Sequence, residues 1–319
     1  MEMFTVLQPG AFTTIQDQGR YGYQQFGIPV SGALDMFAFR VANMLVGNPE
    51  TAAVLECAFL GPRLEVRSGA AVAVTGANMP ALVNGQVRDP WQTFVVKPGD
   101  VISFKSAQNG VRTYLAVSGG IDAPEVMGSR STFVGAKIGG LDGRALAKGD
   151  ILPRGPADHS YVARILPEEF RPLLESKITL RAMPGPQDDY FGEGLEIFFH
   201  SEFEVTSQAD RMGYRLAGPV IPLKHGMPKT IISEPSVPGA VQVPPDGQPI
   251  IKLVELTVGG YAKISTVITP DLDLVAQARP GDRIRFAPIN LEEAHRVYFD
   301  YQEKLDCIRT VLGNKCCKA

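Results

Sequence analysis

The sequence lacks the features that mark membrane, secreted and nucleic-acid-binding proteins. No run of about 18 or more apolar residues is present, which argues against a transmembrane helix. The N-terminus, MEMFTVLQPG, has no basic segment followed by an apolar core, so no secretory signal is predicted. The formal net charge is −3 and no long basic run occurs, which disfavours nucleic acid or an anionic membrane as a partner. We therefore expect a cytoplasmic protein.

The residues that usually build metal sites and disulfide frameworks are also scarce. The 319 residues include four cysteines and four histidines. None has the spacing of a zinc site, and no H-E-x-x-H motif occurs, so no metal is predicted. His159 is one of the scattered histidines, and Cys316 and Cys317 adjoin in what we expect to be a frayed tail.

Nucleotide-binding and serine-hydrolase motifs are missing as well. The sequence contains no Walker phosphate loop and no convincing dinucleotide fingerprint. Ser118, in AVSGG, lacks the preceding glycine of a nucleophile elbow. We predict that this chain alone binds no cofactor, and that any ATP it depends on is bound by another chain.

What the sequence has in quantity is turn residues between short strands. With 33 glycines and 25 prolines, it favours short strands over long helices. Alternating segments such as RLEVRSG and the hairpin signal Asn84-Gly85 predict a mainly β protein with barrel-like or sandwich-like lobes. The predicted domains are an N-terminal β-lobe with a glycine-rich connection (1–160), a C-terminal β-lobe (161–289), and a C-terminal helix and tail (290–319).

One stretch, Thr13 to Glu56, concentrates hydrogen-bonding side chains among glycines. Its apolar residues from Leu34 to Leu45 fall at three- and four-residue spacings, which predicts a helix with one apolar stripe. Ser31 or Asp35 is the expected N-terminal cap, and Gly47 the expected stop. The strand after it carries Glu56 in apolar surroundings, so this carboxylate must be paired, protonated or facing a cleft.

The candidate functional residues of this stretch admit two interpretations. In the first, they form a binding site in which Arg20 holds a carboxylate or phosphate through two parallel hydrogen bonds. In the second, they form a turn, a capped helix and an Asp17–Arg20 salt bridge. From the residues alone the two are about equally supported. The candidates are Gln16, Asp17, Arg20, Ser31, Asp35 and Glu56.

The second half of the chain supplies a further set of candidates. In ADRMGYR, Arg211 and Arg215 can bind a carboxylate, or Asp210 can form a structural turn with one of them. In GGYAKIS, strand alternation would place Tyr261 and Lys263 on one face. A lysine lining a cleft can neutralise developing negative charge, whereas a solvated lysine is the commoner case. Tyr214 and Gln242 complete the set of candidates.

Several long motifs, in matching order, resemble one family. They are QDQGRYGYQQFGIPVSGALDMFAFRVANMLVGNPETAAVLE (Gln16 to Glu56), GSRST (Gly128 to Thr132), ADRMGYRL (Ala209 to Leu216), VPGAVQVPPDGQPI (Val237 to Ile250) and GGYAKISTVITPDLDLVAQARPGDRIRF (Gly259 to Phe286). On these motifs the chain resembles the allophanate hydrolase subunit 2 family, which includes KipA-type proteins and the C subunits of bacterial 5-oxoprolinase. It is also similar to part of the carboxyltransferase domain of urea carboxylase.

The resemblance implies two β-lobes of cyclophilin-like architecture and a role in a hetero-oligomer. It implies an ATP-dependent 5-oxoprolinase, with a KipI-like B subunit and a lactam-utilisation-like A subunit as partners and a small amide or lactam as substrate. In that reaction Asp17, Glu56 and Lys263 would be catalytic, and the other candidates would bind substrate in a groove shared by both lobes.

Two alternatives follow from the same resemblance. A KipA-type regulator would bind a KipI-like kinase inhibitor and relieve its inhibition. A carboxyltransferase or hydrolase acting on urea-like amides would need biotin carried by another chain. The chain departs from the family's polar stretch before G-G-Y, where it has Val254, Glu255, Leu256, Thr257 and Val258. This departure implies a changed substrate or a weakened activity if those polar groups contact substrate.

Overall fold

The computed structural model describes residues 1–157 and 162–313, in two compact units. Unit 1 comprises Met1–Arg20, Ser31–Leu174 and Glu303–Ala319, and unit 2 comprises Tyr21–Val30 and Glu175–Gln302. The units are defined by spatial compactness, and the domain limits predicted from the sequence (1–160, 161–289 and 290–319) stay a prediction. The predictions about His159, Cys316 and Cys317 concern residues outside the described ranges.

Unit 1 contains two antiparallel sheets. Its strands are β1 (Glu2–Gln8), β2 (Phe12–Gln16), β3 (Val54–Ala58), β4 (Arg63–Val66), β5 (Ala70–Asn78), β6 (Ala81–Val83), β7 (Gln86–Arg88), β8 (Thr93–Val96), β9 (Val101–Phe104), β10 (Asn109–Val117) and β11 (Ile151–Pro153). One sheet has the order β11-β1-β4-β9-β6-β7, and the other the order β2-β3-β10-β5-β8. The core forms from apolar side chains of both sheets, including Phe4 and Leu64 from one and Leu55 and Leu115 from the other. Burial of this apolar surface is the main driving force for the unit.

Helix α1 (Met36–Val46) begins and ends where the sequence predicts. Asp35 caps it by accepting a hydrogen bond from Ala38 N (2.8 Å), and Gly47 ends it with a left-handed φ of 78°. Nine of its eleven residues are buried. The helix is therefore buried on nearly every face, whereas the sequence predicts a single buried stripe.

Unit 2 is built around a closed seven-stranded barrel. Its barrel strands are β12 (Lys177–Pro184), β13 (Glu202–Ala209), β14 (Gly213–Ala217), β16 (Ala240–Gln242), β17 (Ile250–Lys252), β19 (Lys263–Val267) and β20 (Arg283–Pro288), and a separate two-stranded sheet pairs β15 (Glu234–Pro235) with β18 (Val258–Gly259). The barrel order is β12-β19-β16-β17-β14-β13-β20, closed by the parallel β12–β20 pair. Closure leaves the barrel itself without a free sheet edge.

Three further α-helices lie in the described chain: α2 (Glu193–His200), α3 (Leu272–Gln277) and α4 (Leu291–Val311). Helix α2 was not predicted; it packs on the barrel through Phe198, whose ring stacks on Phe286 with centroids 4.2 Å apart. Asn290 and Glu293 form the capping box of α4, as predicted for Asn290. Among the described residues, no helix combines the length and apolar character that crossing a membrane requires. The mainly β prediction is confirmed, with 36% strand and 20% helix.

Candidate functional sites in the two units

In unit 1, the Asp17 carboxylate fastens two loops together. Its Oδ1 accepts hydrogen bonds from Gly19 N (2.9 Å), Ser129 Oγ (2.7 Å) and Ser131 Oγ (2.6 Å). Its Oδ2 accepts one from Arg130 N (2.6 Å). Asp17 is 6% exposed. With every donor supplied by the protein, the carboxylate acts first as a structural anchor for the GSRST loop.

Arg20 lies beside Asp17 but forms no ion pair with it. The guanidinium donates from Nε to Val126 O and from Nη2 to Ser131 O, both at 2.9 Å. The side chain is fully buried, and this burial lowers its pKa, against the opposing charge of Asp17. The salt-bridge interpretation of this pair is therefore wrong, and two of the guanidinium donors are taken up by backbone carbonyls.

Three buried polar atoms in this region have no hydrogen-bond partner within the protein. They are Gln16 Oε1, Arg20 Nη1 and Ser31 Oγ. Ser31 also has a φ of 54°, a left-handed conformation that is uncommon outside glycine. Buried polar atoms are nearly always hydrogen-bonded, so each of these three atoms is a point at which a water or a small polar ligand would supply the missing partner.

Glu56 holds the segment before α1 through hydrogen bonds. Its Oε2 accepts hydrogen bonds from Leu34 N (3.0 Å) and Tyr114 OH (2.8 Å), and Arg112 Nε lies 3.7 Å from Oε1. The Tyr114 hydroxyl in turn accepts a hydrogen bond from Asp35 N (2.8 Å). Burial, and then the charge of Glu56, hold the pKa of Tyr114 well above its usual value. Of the alternatives for Glu56, the structure shows the paired one.

In unit 2, Lys263 is the centre of a second polar cluster, which we call the Lys263 cluster: Gln187, Glu234, Gln242 and Lys263. Lys263 Nζ donates to Glu234 Oε1 (2.5 Å), which also accepts a hydrogen bond from Gln187 Nε2 (2.8 Å). These two donors lower the pKa of Glu234, that from Lys263 having the larger effect. Lys263 is 4% exposed, so the commoner solvated lysine is not what forms here.

Gln242 is the cluster member with unused hydrogen-bonding capacity. It is the cross-strand partner of Lys263 in the β16–β19 pair and is 2% exposed. Its Nε2 has no hydrogen-bond partner within the protein. A methyl group at Gly259 would lie 1.8 Å from that nitrogen, so the first glycine of the G-G-Y motif is needed to admit the Gln242 amide.

The remaining candidates of unit 2 lie in different environments. Arg211 is buried and pairs with Glu255 (2.6 Å), so the stretch that departs from the family pattern still supplies a carboxylate. Tyr214 is buried and Arg215 exposed. Tyr261 is half-buried and precedes β19, which begins at Lys263. The strand alternation that would place Tyr261 and Lys263 on one face does not reach Tyr261.

Sequence reasoning missed Gln187 and Glu234. Neither lies in a motif, and each is brought to Lys263 from a distant part of the chain, 76 and 29 residues away. Within residues 1–157 and 162–313, no group of three or more His, Cys, Asp and Glu side chains is arranged to hold a metal ion. The chemistry available here is that of amides, carboxylates, a lysine and arginines.

The chain belongs to the carboxyltransferase domain family, subdomains A and B, whose model matches residues 26–288. It is 39% identical to the C subunit of 5-oxoprolinase from Escherichia coli (strain K12), over 98% of this chain and 100% of that protein. It is 33% identical to the urea amidolyase of Lachancea kluyveri, over 92% of this chain and 17% of that protein. The resemblance drawn from the motifs is confirmed.

The crystal structure of the Kluyveromyces lactis urea amidolyase has the same fold. The TM-score is 0.91 at 31% sequence identity, over 96% of this chain. The chain spans about one fifth of that much longer protein, 20% of its length.

Proposed function

We propose that this chain is the C subunit of a multi-chain, ATP-dependent 5-oxoprolinase. The reaction converts 5-oxo-L-proline, ATP and water to L-glutamate, ADP and phosphate. End-to-end similarity to a protein named as the C subunit of 5-oxoprolinase supports this choice over the urea amidolyases, of which the chain matches only a minor part. A KipI-like B subunit and a lactam-utilisation-like A subunit are the proposed partners, in the cytoplasm.

The observation that carries the proposal is the Gln242 amide nitrogen, which has no hydrogen-bond partner and lies on the strand paired with Lys263. A lactam offers a carbonyl oxygen that accepts hydrogen bonds, and that oxygen gains negative charge when the ring is activated and opened. Gln242 Nε2 is a free donor for such an oxygen. Lys263, held in place by Glu234, offsets the charge that develops.

ATP supplies the driving force, because the resonance-stabilised lactam is a poor electrophile until its oxygen is phosphorylated. The nucleotide is bound by a partner chain in this proposal, consistent with the missing phosphate-loop motifs. One water then attacks the activated carbon and the C–N bond breaks, so that the nitrogen takes up a proton to become the amino group and the carbon is left as an acyl phosphate. A second water hydrolyses this acyl phosphate and releases glutamate and phosphate.

The test uses Gln242→Leu in the full complex, with ATP-dependent glutamate release as the readout. Leucine has similar size and no donor, and removing a buried unsatisfied amide leaves stability nearly unchanged or higher. We expect turnover to fall about tenfold or more, since a positioned donor to a developing oxyanion contributes at least that much. Gln86→Leu, the same substitution at an exposed position of unit 1, is the control and should leave turnover unchanged.

Two results would contradict the proposal. One is the absence of glutamate release when the chain is combined with a partner pair that is active with another C subunit. The other is full turnover by the Gln242→Leu complex. Arg20→Ala is a poorer probe, because Arg20 binds two backbone carbonyls and its loss would disturb the fold.

Carboxyl transfer to a urea-like amide is the second candidate, favoured by the family match and the urea amidolyase relatives. The Lys263 cluster would serve the same carbonyl chemistry, with biotin carried on another chain. Urea-dependent, biotin-dependent ATP consumption by the assembled complex would identify this reaction, and glutamate release would identify the first.

The KipA-type regulatory role is separated from both by the Gln242→Leu variant. A purely regulatory protein would bind its KipI-like partner and show no turnover in any combination. An enzyme component would keep that binding in the variant and lose turnover only.

A further inference from the structure

The outer face of the unit 2 barrel carries a groove that is lined by residues other than the Lys263 cluster. The groove has a volume of about 420 Å³ and lies along β13, β14 and β17. Its polar lining residues are Ser207, Gln208, Asp210, Arg215 and Lys252. We propose that this groove binds a small oxyanion, a phosphate or carboxylate group, between Lys252 and Arg215.

An irregularity in β13 forms one wall of the groove. Strand β13 pairs with β14 at Val205↔Leu216 and next at Ala209↔Tyr214, so β13 has two more residues than β14 between these pairs. Thr206 secures the bulge, its hydroxyl donating to the Arg215 carbonyl oxygen (3.0 Å). Bulges redirect side chains and often lie beside functional sites.

The residues inside the bulge supply neutral donors. Ser207 and Gln208 are both exposed and line the groove. A hydroxyl and a carboxamide next to two cations make a set of donors that matches the several acceptor oxygens of phosphate or carboxylate.

The two cations share one side of the sheet. Gly213 is the cross-strand partner of Lys252, and Ile250 that of Arg215, so these alternate positions face the same way. A methyl group at Gly213 would lie 2.8 Å from Ile251 O and 3.3 Å from Ile250 Cγ2, so close packing requires glycine next to Lys252. In the described part of the chain neither Lys252 nor Arg215 forms an ion pair within 4 Å, although Lys252 is half-buried.

The one carboxylate of the groove is already engaged. Asp210 Oδ1 accepts hydrogen bonds from Met212 N (2.8 Å) and Gly213 N (3.1 Å) in a local turn. The groove therefore has two cations against one carboxylate. Burial lowers the pKa of Lys252, the charge of Arg215 lowers it further, and Asp210 opposes both. A bound oxyanion would relieve the repulsion between the two cations.

The test is a titration of the full-length chain with inorganic phosphate and, in a second arm, with acetate, both at constant ionic strength. Lysine labelled with ¹³C at Cε reports the protonation of Lys252, whose signal is assigned by its loss in Lys252→Met. We expect a saturable phosphate- or acetate-dependent shift of this signal and a rise in the pKa of Lys252. The arm with the tighter binding distinguishes a phosphoryl ligand from a carboxylate ligand.

Calorimetry on matched variants completes the experiment. Arg215→Met should weaken binding of the preferred anion about tenfold, since it removes a charge-assisted hydrogen bond. Lys229→Met removes the charge of an exposed lysine outside the groove. It should change the affinity for the anion by less than about twofold, because substitutions at exposed positions usually have small energetic effects. The proposal is overturned if neither anion gives a saturable shift, or if Arg215→Met binds as tightly as the Lys229→Met control. The result is independent of turnover, so it stands or falls separately from the 5-oxoprolinase assignment.

Discussion

Replacing Tyr114 by phenylalanine tests whether Glu56 is part of a structural hydrogen-bond network. The hydroxyl is fully buried, donates to Glu56 Oε2 and accepts from Asp35 N, both at 2.8 Å. A hydrogen bond to a charged group contributes about 1.5–3 kcal/mol, and a buried amide left without an acceptor costs about 1–3 kcal/mol. Because Glu56 keeps its hydrogen bond from Leu34 N, we expect Tyr114→Phe to lower the free energy of unfolding by about 3 kcal/mol, near the lower end of the sum of these two contributions.

The pH dependence provides a signature that simple loss of packing does not produce. The folded-state pKa of Tyr114 is raised, so the folded protein keeps this proton when the unfolded chain has lost it. The stabilisation is complete below the unfolded pKa of about 10 and is lost as pH rises from there towards the folded value. The wild type should therefore lose stability relative to Tyr114→Phe above pH 10, by up to about 1.4 kcal/mol per pH unit.

Urea denaturation followed by circular dichroism, at pH 7 to 11, measures both effects. The other tyrosines cancel in the difference between the two proteins. Tyr298→Phe, at an exposed position of α4, should change stability by less than about 0.5 kcal/mol. A loss below about 1 kcal/mol at pH 7, or a difference that stays constant to pH 11, would refute the assignment of Glu56 and Tyr114 to one buried network.

Two further outcomes are expected. Gly139→Ala should destabilise unit 1 far more than Gly85→Ala, although both glycines have positive φ. The added methyl group would lie 2.1 Å from Ser131 O at the first site and in open space at the second. Equal decreases in melting temperature would contradict this expectation. Lys263→Met should flatten the acid-induced loss of stability, since Lys263 lowers the pKa of Glu234. The stabilisation from Glu234 is present above its unfolded-state pKa of about 4.3 and is lost as pH falls through its folded-state pKa. If the urea midpoints of wild type and variant change equally from pH 7 to 3, this expectation is wrong.

The network at Asp17 illustrates why a site cannot be read from a short motif. Its two serine donors lie 112 and 114 residues away in sequence. The motif QDQGR shows that a carboxylate and a guanidinium lie close together along the chain, and one of the two interpretations of the sequence joined them in a salt bridge. In the fold each finds its own partners, because buried groups must be satisfied by whatever the distant loop presents.

The sequence alone determined the features that depend on neighbours along the chain. The mainly β character, the limits and caps of α1, the capping of α4 by Asn290 and the family all follow from local periodicity, turn residues and contiguous motifs. Only the tertiary structure decided that Lys263 is buried against Glu234, that Gln242 keeps an unused donor, and that a bulge opens the groove at Lys252. These depend on strand register and on which segments closure of the barrel brings together, and a single register shift would exchange the buried and exposed side chains.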